Sequence, residues 1–262
     1  MDLTDEQWAI IQPFIPAHPP RPNRRGRPRM DDRAVMNGIF WVMRTGAPWQ
    51  DLPPRYPSGS TCFRRFHEWC QAGVYERILE ALVQDLEARG RINLSECFID
   101  GTFVSAKRGA RAFGKTRRGK GTKIMAIADR AGLPVALYLS SASPNEVTLV
   151  ERTLASCFAT AEPERLIGDK AYESDALDER LAARGIELIA PHTSGRKHPT
   201  QDGRPLRRYR RRWKVERLNA WLLNARRVVV RYDRELSHYR SFVQLAAIRL
   251  LMRRVHAATF LK

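Results

Sequence analysis

The sequence predicts an α/β protein in which a mixed-sheet core follows a small all-helical segment. Two observations carry this. Apolar residues recur at helical spacing through the first 90 residues, and from residue 97 three consecutive strand-like stretches give way to short strands alternating with helices. The 262 residues suffice for one large domain or two modest ones. The expected division is a helical domain over 1–90, with a basic linker at 17–30, and an α/β domain over 91–262.

Each element has a local cause. Thr4 and Gln7 have capping-box spacing, and Trp8, Ile11 and Ile15 follow until Pro16 stops the pattern. Ala17 to Pro28 is a Pro- and Arg-rich connector. Asp31 or Asp32 caps a second helix that presents Val35, Met36, Ile39, Phe40 and Met43 on one face and closes at Gly46. The run Ala47 to Ser58 contains four prolines and reads as turns. A third helix starts at Ser60 or Thr61 and buries Phe63, Phe66, Trp69 and Cys70. A fourth carries Ile78, Leu79, Leu82, Val83 and Leu86 and ends at Gly90.

The period then changes. Cys97 to Val104, Thr122 to Ala128 and Pro134 to Leu139 read as strands, the last two joined by the turn Asp129 to Gly132. A helix is expected over Asn145 to Ala159, a strand over Arg165 to Gly168, a helix over Ser174 to Arg184 and a strand over Glu187 to Ala190. A long helix from about Pro205 to Arg227 and a last one from about Tyr239 to Ala257 complete the chain.

Lys and Arg total 46 against 28 Asp and Glu, a formal net charge of +18. Such an excess calls for a polyanionic partner, nucleic acid first and an anionic membrane second. No apolar run reaches the roughly 20 residues that span a bilayer, and the acidic N-terminus predicts no signal peptide. Cys62, Cys70, Cys97 and Cys157 lack metal-site or redox spacing and read as reduced thiols of an intracellular protein. The charge is blocked: Arg21 to Arg29 has five basic residues and no acid, Ser105 to Lys123 has eight and no acid, and Pro191 to Glu235 has fourteen against four acids. Blocks of this kind form surfaces.

Three acids stand in informative settings. Asp100 interrupts an apolar strand, where an ionised carboxylate needs a salt bridge, a cap or a metal. Asp169 follows Leu166-Ile167-Gly168, at the strand end where open α/β sheets bind ligands, and Lys170 adds a positive charge. Tyr209, Arg212 and Glu216 share a helix face, and Trp213, Val215, Leu218, Trp221 and Leu222 around them suggest docking on the sheet. An ordinary i,i+4 ion pair between Arg212 and Glu216 is the competing account of that pair. Three such carboxylates on a basic chain suit two divalent cations that cleave a phosphodiester. Oxygen ligands favour Mg²⁺, with Mn²⁺ as a substitute.

With these residues in view, the chain resembles bacterial DDE transposases of the insertion sequence five family, whose catalytic core is ribonuclease H-like. The resemblance runs through Leu3 to Trp8, Gly26-Arg27-Pro28, Arg44 to Pro53, Asp100 to Val104, Gly121 to Ile124, Gly168 to Tyr172 and Arg212 to Arg217. It implies a catalytic, metal-binding triad of Asp100, Asp169 and Glu216, Asp100 being shared between two metals. It further implies end cleavage and transfer of the freed 3′-hydroxyl to target DNA, with no covalent protein–DNA intermediate. Related transposases show Tyr, Arg, Glu and Lys at spacings that fall on Tyr209, Arg212, Glu216 and Leu223. The Lys is absent here, and Arg227 is the expected replacement. The implied partners are double-stranded DNA, as terminal inverted repeats and target, and a second protomer on that DNA. The implied setting is the bacterial cytoplasm, at the nucleoid, with neither membrane nor small-molecule substrate.

The expected DNA contacts follow the basic blocks. Arg25 and Arg27 flank Gly26 in an Arg-Gly-Arg-Pro hook suited to a narrow minor groove, or else belong to a solvated linker. Arg64 and Arg65 sit near the start of a possible recognition helix, together with Ser58, Ser60, Thr61 and His67. Lys107 and Lys123 belong to what reads as a mobile basic loop leading out of the Asp100 strand. Lys170, Tyr209, Arg212, Arg217 and Arg227 surround the second and third acids. His192, Arg196 and His198 read as loop residues. Of the six tryptophans, mostly core by spacing, Trp49 and Trp221 are candidates for stacking on a base. A structure-specific nuclease and a catalytically silent DNA-binding relic share these residues as other readings.

Overall fold

The computed structural model describes residues 2–17, 28–107, 109–192 and 206–257. Arg25 and Arg27, and with them the expected minor-groove hook, lie outside the described residues, as do Arg196 and His198.

The N-terminal helices form where the caps place them. Helix α1 (Asp5–Ile11) opens with a capping box, Gln7 N–H donating to Thr4 Oγ1 and Thr4 N–H to Gln7 Oε1, each at 3.2 Å. Helix α2 (Asp32–Thr45) starts at Asp31, whose carboxylate accepts from the Ala34 N–H at 2.8 Å. It ends at Gly46, φ +72°, a left-handed conformation that glycine adopts without strain. Helix α3 (Gly59–Gln71) begins slightly earlier than its composition suggests, because Ser58 supplies the cap. Phe66 and Trp69 are buried on it, but Phe63 is 41% exposed. Helix α4 (Val74–Ala88) buries the expected apolar face.

The sheet contains, among the described residues, β1 (Cys97–Ala106), β2 (Gly114–Thr116), β3 (Gly119–Ala128), β4 (Pro134–Ser141), β5 (Arg165–Ile167), β6 (Glu187–Ile189) and β7 (Val230–Arg231). Strands β1, β3 and β4 are antiparallel neighbours, while β5 and β7 join β1 in parallel and β6 joins β5 in parallel. This is the expected mixed sheet, with β1 at its centre.

Three elements differ from their sequence patterns. The stretch from Asn145 to Ala159 makes a 3-10 turn (Glu146–Leu149) and a short α5 (Val150–Leu154). It stops there because Cys157 bridges Ala136 and Phe158 N–H donates to Val135 O at 2.8 Å. After α6 (Asp175–Ala182), the expected long helix is broken. A 3-10 segment (Arg207–Arg211) leads into α7 (Trp213–Leu223), and Ala225 turns extended before the short α8 (Arg226–Val229). That turn delivers Val230 and Arg231 to pair with Ser105 and Ala106. The basic stretch Ser105 to Lys123 is not a loop throughout. Strand β1 runs on to Ala106, and β2 and β3 form a hairpin, with Gly114 opposite Gly121.

A buried arginine anchors this region. Arg231 is 0% exposed and donates to Arg111 O (2.6 Å), Thr122 Oγ1 (2.8 Å), Arg234 O (2.9 Å) and Asp233 O (3.1 Å). Helix α9 (Leu236–Ala257) then packs along α4 and touches α2 and α3. The last helix therefore shares one apolar core with the first ones. Replacing Arg231 with Met leaves those carbonyls without their donor. It should cost about 2–4 kcal/mol by denaturant unfolding and speed amide exchange between Gly109 and Thr122. Unchanged exchange there would show that the hairpin stands without Arg231.

Candidate active site

Strand register brings the first two acids together. Strands β1 and β5 pair Cys97 with Leu166 and Phe98 with Ile167, and the offset is 69 residues in both pairs. Asp100 and Asp169 have the same separation, and Asp169, two residues past the end of β5, lies near enough to Asp100 to repel its charge. Asp169 caps the 3-10 turn Lys170–Tyr172, accepting from the Ala171 N–H at 2.8 Å. Gly168 is needed for this turn, since a Cβ there would stand 2.6 Å from the Tyr172 ring.

Burial pushes the Asp100 carboxyl up to about 6. Arg212 and Asn219 oppose the shift, while Glu146 and Asp169 add to it. Glu146 was not singled out by the sequence. It comes from the turn after β4, and its carboxylate covers Gly101, where a Cβ would lie 2.5 Å from its Cδ. It accepts from Tyr172 Oη at 2.8 Å and pairs with Lys123 Nζ at 3.5 Å. Burial also raises the Tyr172 hydroxyl far above its ordinary value, so it stays a donor. The one sequence signal for Glu146 is the glycine itself, since a glycine inside a strand marks a close approach.

Helix α7 supplies the third acid. Arg212 Nη1 donates to Asp100 Oδ1 at 3.2 Å, and Asn219 Nδ2 donates to Asp100 Oδ2 at 2.9 Å. Glu216 lies between these two on the same face and accepts from Arg212 Nη2. Burial works against the Arg212 charge, but Asp100 and Glu216 outweigh it and hold the guanidinium above its ordinary value. The Tyr209 ring lies 5.8 Å from that guanidinium. Distant contacts set this position. Glu96, at the foot of β1, accepts from Arg208 (2.9 Å) and Arg211 (2.6 Å), while Lys214 and Arg217 donate to Arg130 O and Ala131 O in the β3–β4 turn.

The basic residues expected on DNA divide sharply. Arg64, Lys107 and Lys170 are exposed. Arg65 is instead buried at 2% exposure and donates to Asp32 at 2.6 Å, tying α3 to α2. Arg227 does not extend the Glu216 face. The helix breaks before it, and its guanidinium is buried against Asp233 (3.0 Å) and the Phe242 ring. Arg217 stacks between Trp213 and Trp221, and Lys123 donates to Pro144 O at 2.9 Å, so both are committed within the fold. Trp49 lies among Phe63, Phe66 and Phe242. His192 bonds to Glu173.

The donor set is carboxylate and amide oxygen, the chemistry of a hard divalent cation. Asn219 Oδ1 is buried without a hydrogen-bond partner beside Asp100, and the Asp100–Asp169 repulsion would be relieved by positive charge. These residues fit such an ion. Among the described residues no group of three His, Cys, Asp or Glu side chains stands in a metal-holding arrangement, and Glu216 accepts from Arg212.

Residues 3–79 match a family described as putative transposase of IS4/5 family, and residues 93–251 match the transposase DDE domain family. An insertion element IS402 uncharacterized 16.2 kDa protein of Burkholderia cepacia is 37% identical over 119 residues, covering 44% of this chain and 80% of that protein. The same organism's putative transposase for insertion sequence element IS402 is 29% identical over 133 residues, 48% of this chain and 60% of that protein. Among solved structures, the piggyBac transposase synaptic complex with hairpin DNA superposes with a TM-score of 0.55 at 9% identity. The superposition covers 99% of this chain and 74% of the other and speaks for a common fold. No described helix is long and apolar enough to cross a membrane.

Because its folded pKa is raised, Asp100 lends the fold most support while protonated, below about pH 4, and that support is lost as pH rises through about 6. Asp100→Asn should therefore stabilise the metal-free protein by about 1–3 kcal/mol near pH 7.5, and the gain should vanish near pH 4. Thermal unfolding across that range checks it, and a gain independent of pH would contradict the assignment.

Proposed function

The chain belongs to the DDE transposases of insertion sequences, and from that premise we propose that Asp100, Asp169 and Glu216 are its catalytic, metal-binding acids. The observation that carries the assignment is the bracket on Asp100. Arg212 and Asn219 hold its two oxygens from either side of Glu216 on one helix face, and the charge of Asp169 acts on it from the end of β5.

In this reading Asp100 and Asp169 would hold one divalent cation and Asp100 with Glu216 a second, Mg²⁺ being the expected ion and Mn²⁺ a substitute. When bound there, such ions would supply activation of a hydroxyl and stabilisation of the leaving oxygen of a phosphodiester. The chain's own groups prepare the site. Asn219 fixes Asp100 Oδ2, the Tyr172–Glu146 bond stiffens the wall beside Gly101, and Arg212 balances Asp100 and Glu216 until it yields Oδ1. Water attacks the phosphorus at the element's end, and the 3′-oxygen leaves with a proton. The freed 3′-hydroxyl then attacks a target phosphodiester and displaces its 3′-oxygen. No protein side chain becomes linked to DNA.

The substrates are the terminal inverted repeats and a target duplex, in the bacterial nucleoid. Joining two ends requires at least two protomers, so the working species is a dimer on DNA. Exposed Arg64, Lys107 and Lys170 contact phosphates, and Arg25 and Arg27 act from the linker.

The experiment is cleavage and strand transfer by the purified protein on its own element's ends, with Mg²⁺ or Mn²⁺. Asp100→Asn, Asp169→Asn and Glu216→Gln should each lose both steps by about a thousandfold or more while keeping duplex affinity within a few-fold. Cleavage without joining by the wild type would make the protein a nuclease. Tight binding without cleavage would make it a DNA-binding relic.

A further inference from the structure

Asp169 is held by bonds that its own turn cannot supply. The charges of Asp100 and Asp169 repel each other, and Asp169 lies outside β5, at the head of the three-residue turn Lys170–Tyr172. Within that turn its carboxylate accepts from the Ala171 N–H at 2.8 Å, and its carbonyl from the Tyr172 N–H at 3.0 Å. These bonds are local and travel with the turn, so they leave its distance from β1 unset. Repulsion alone would drive so short a turn away from the strand.

A tie from the far end of the turn opposes this. Tyr172 is 0% exposed, and its ring fills the space that Gly168 leaves. Its hydroxyl donates to Glu146 Oε2 at 2.8 Å. Glu146 stands against β1, where a Cβ on Gly101 would lie 2.5 Å from its Cδ and 2.7 Å from each carboxylate oxygen. Lys123 of β3 completes the tie, its Nζ lying 3.5 Å from Glu146 Oε1 and donating to Pro144 O at 2.9 Å. The turn that carries Asp169 is thereby fastened to β1 and β3. Both glycines serve it: one directly follows Asp100, the other directly precedes Asp169, and a side chain on either would collide with the tie.

We infer that Glu146 is a positioning residue, which through the Tyr172 hydroxyl holds Asp169 near Asp100 in the metal-free protein. Successive residues of a strand face opposite ways. Glu146, over Gly101, therefore lies behind β1 from the side on which Arg212 and Asn219 meet Asp100. That placement suits a residue that fastens the turn better than one that ligates beside Asp100. Preorganisation of this kind raises cation affinity, because the ion need not draw two repelling carboxylates together. The inference rests on the reading of Asp100 and Asp169 as cation ligands.

The test follows Mn²⁺ binding to the full-length protein through the electron paramagnetic resonance signal of the free ion. Unfolding temperature and amide exchange of the metal-free protein are measured alongside. Tyr172→Phe keeps the ring and removes the hydroxyl. It should weaken Mn²⁺ binding by about tenfold, as loss of an outer partner of a metal ligand does, and speed exchange at Ala171 and Tyr172. Glu146→Leu should do the same, and the two changes combined should weaken binding no further than either alone. Glu146→Gln keeps an acceptor for the hydroxyl and should bind Mn²⁺ nearly as the wild type does. A Tyr172→Phe protein with wild-type Mn²⁺ affinity, even if less stable, overturns the positioning role while leaving the acids as ligands. Loss in Glu146→Gln as large as in Glu146→Leu, with Tyr172→Phe unaffected, overturns it in favour of Glu146 as a ligand. A wild type that binds no Mn²⁺, or an Asp169→Asn variant that binds it equally well, overturns the cation centre and the positioning role with it.

Discussion

The Asp100 carboxylate sits where ionisation is costly, and its neighbours divide into those that ease the cost and those that add to it. Arg212 and Asn219 donate to it, while Glu146 and Asp169 repel it. A carboxylate balanced in this way is poised for a cation, because added positive charge removes both the desolvation and the repulsion. The rest of the site follows from keeping that balance. Strand β1 must be central to bury Asp100, β5 must pair with it in parallel to bring up Asp169, and α7 must cross β1 to lay Arg212, Glu216 and Asn219 over it.

The placement of α7 depends on residues far from the chemistry. Glu96 is nearly buried, at 6% exposure, and gathers Arg208 and Arg211 from the segment just before the helix. The β3–β4 turn, built on the wholly buried Asp129, accepts Lys214 and Arg217. After α7 the chain turns at Ala225, adds β7 to the sheet and sends α9 back across α4. One contiguous core thus connects the N-terminal helices to the catalytic sheet. The basic composition serves two ends. Arg65, Arg227 and Arg231 are spent inside, while Arg64, Lys107 and Lys170 face solvent.

Much of this was legible in the sequence where the cause is local. The Thr4–Gln7 capping box, the Asp31 cap, the Gly46 stop and the strand sequence from Cys97 to Leu139 all depend on neighbouring residues. Asp100 and Asp169 stood out in the sequence because one interrupts and the other ends an apolar run, and Glu216 because it shares a helix face with Tyr209 and Arg212 among apolar neighbours. The break at Asn224–Ala225 was not, since helical propensity there is outweighed by a strand pairing with residues 105 and 106. Glu96 and Glu146 were missed for a similar reason, as Glu96 meets Arg208 across 112 positions and no spacing rule reaches that far. The buried arginines were read as surface because a charge block does not reveal which members have acids or carbonyls waiting for them.

The central claim is that the acids on β1, after β5 and on α7 form one cation-binding centre. Its most direct test is an anomalous-difference map from crystals of the protein on its terminal-repeat duplex, grown with Mn²⁺. The account predicts anomalous density bounded by Asp100, Asp169 and Glu216, with Arg212 withdrawn from Asp100 Oδ1. Mn²⁺ bound elsewhere on the chain, with the Arg212–Asp100 and Arg212–Glu216 bonds intact, would contradict it.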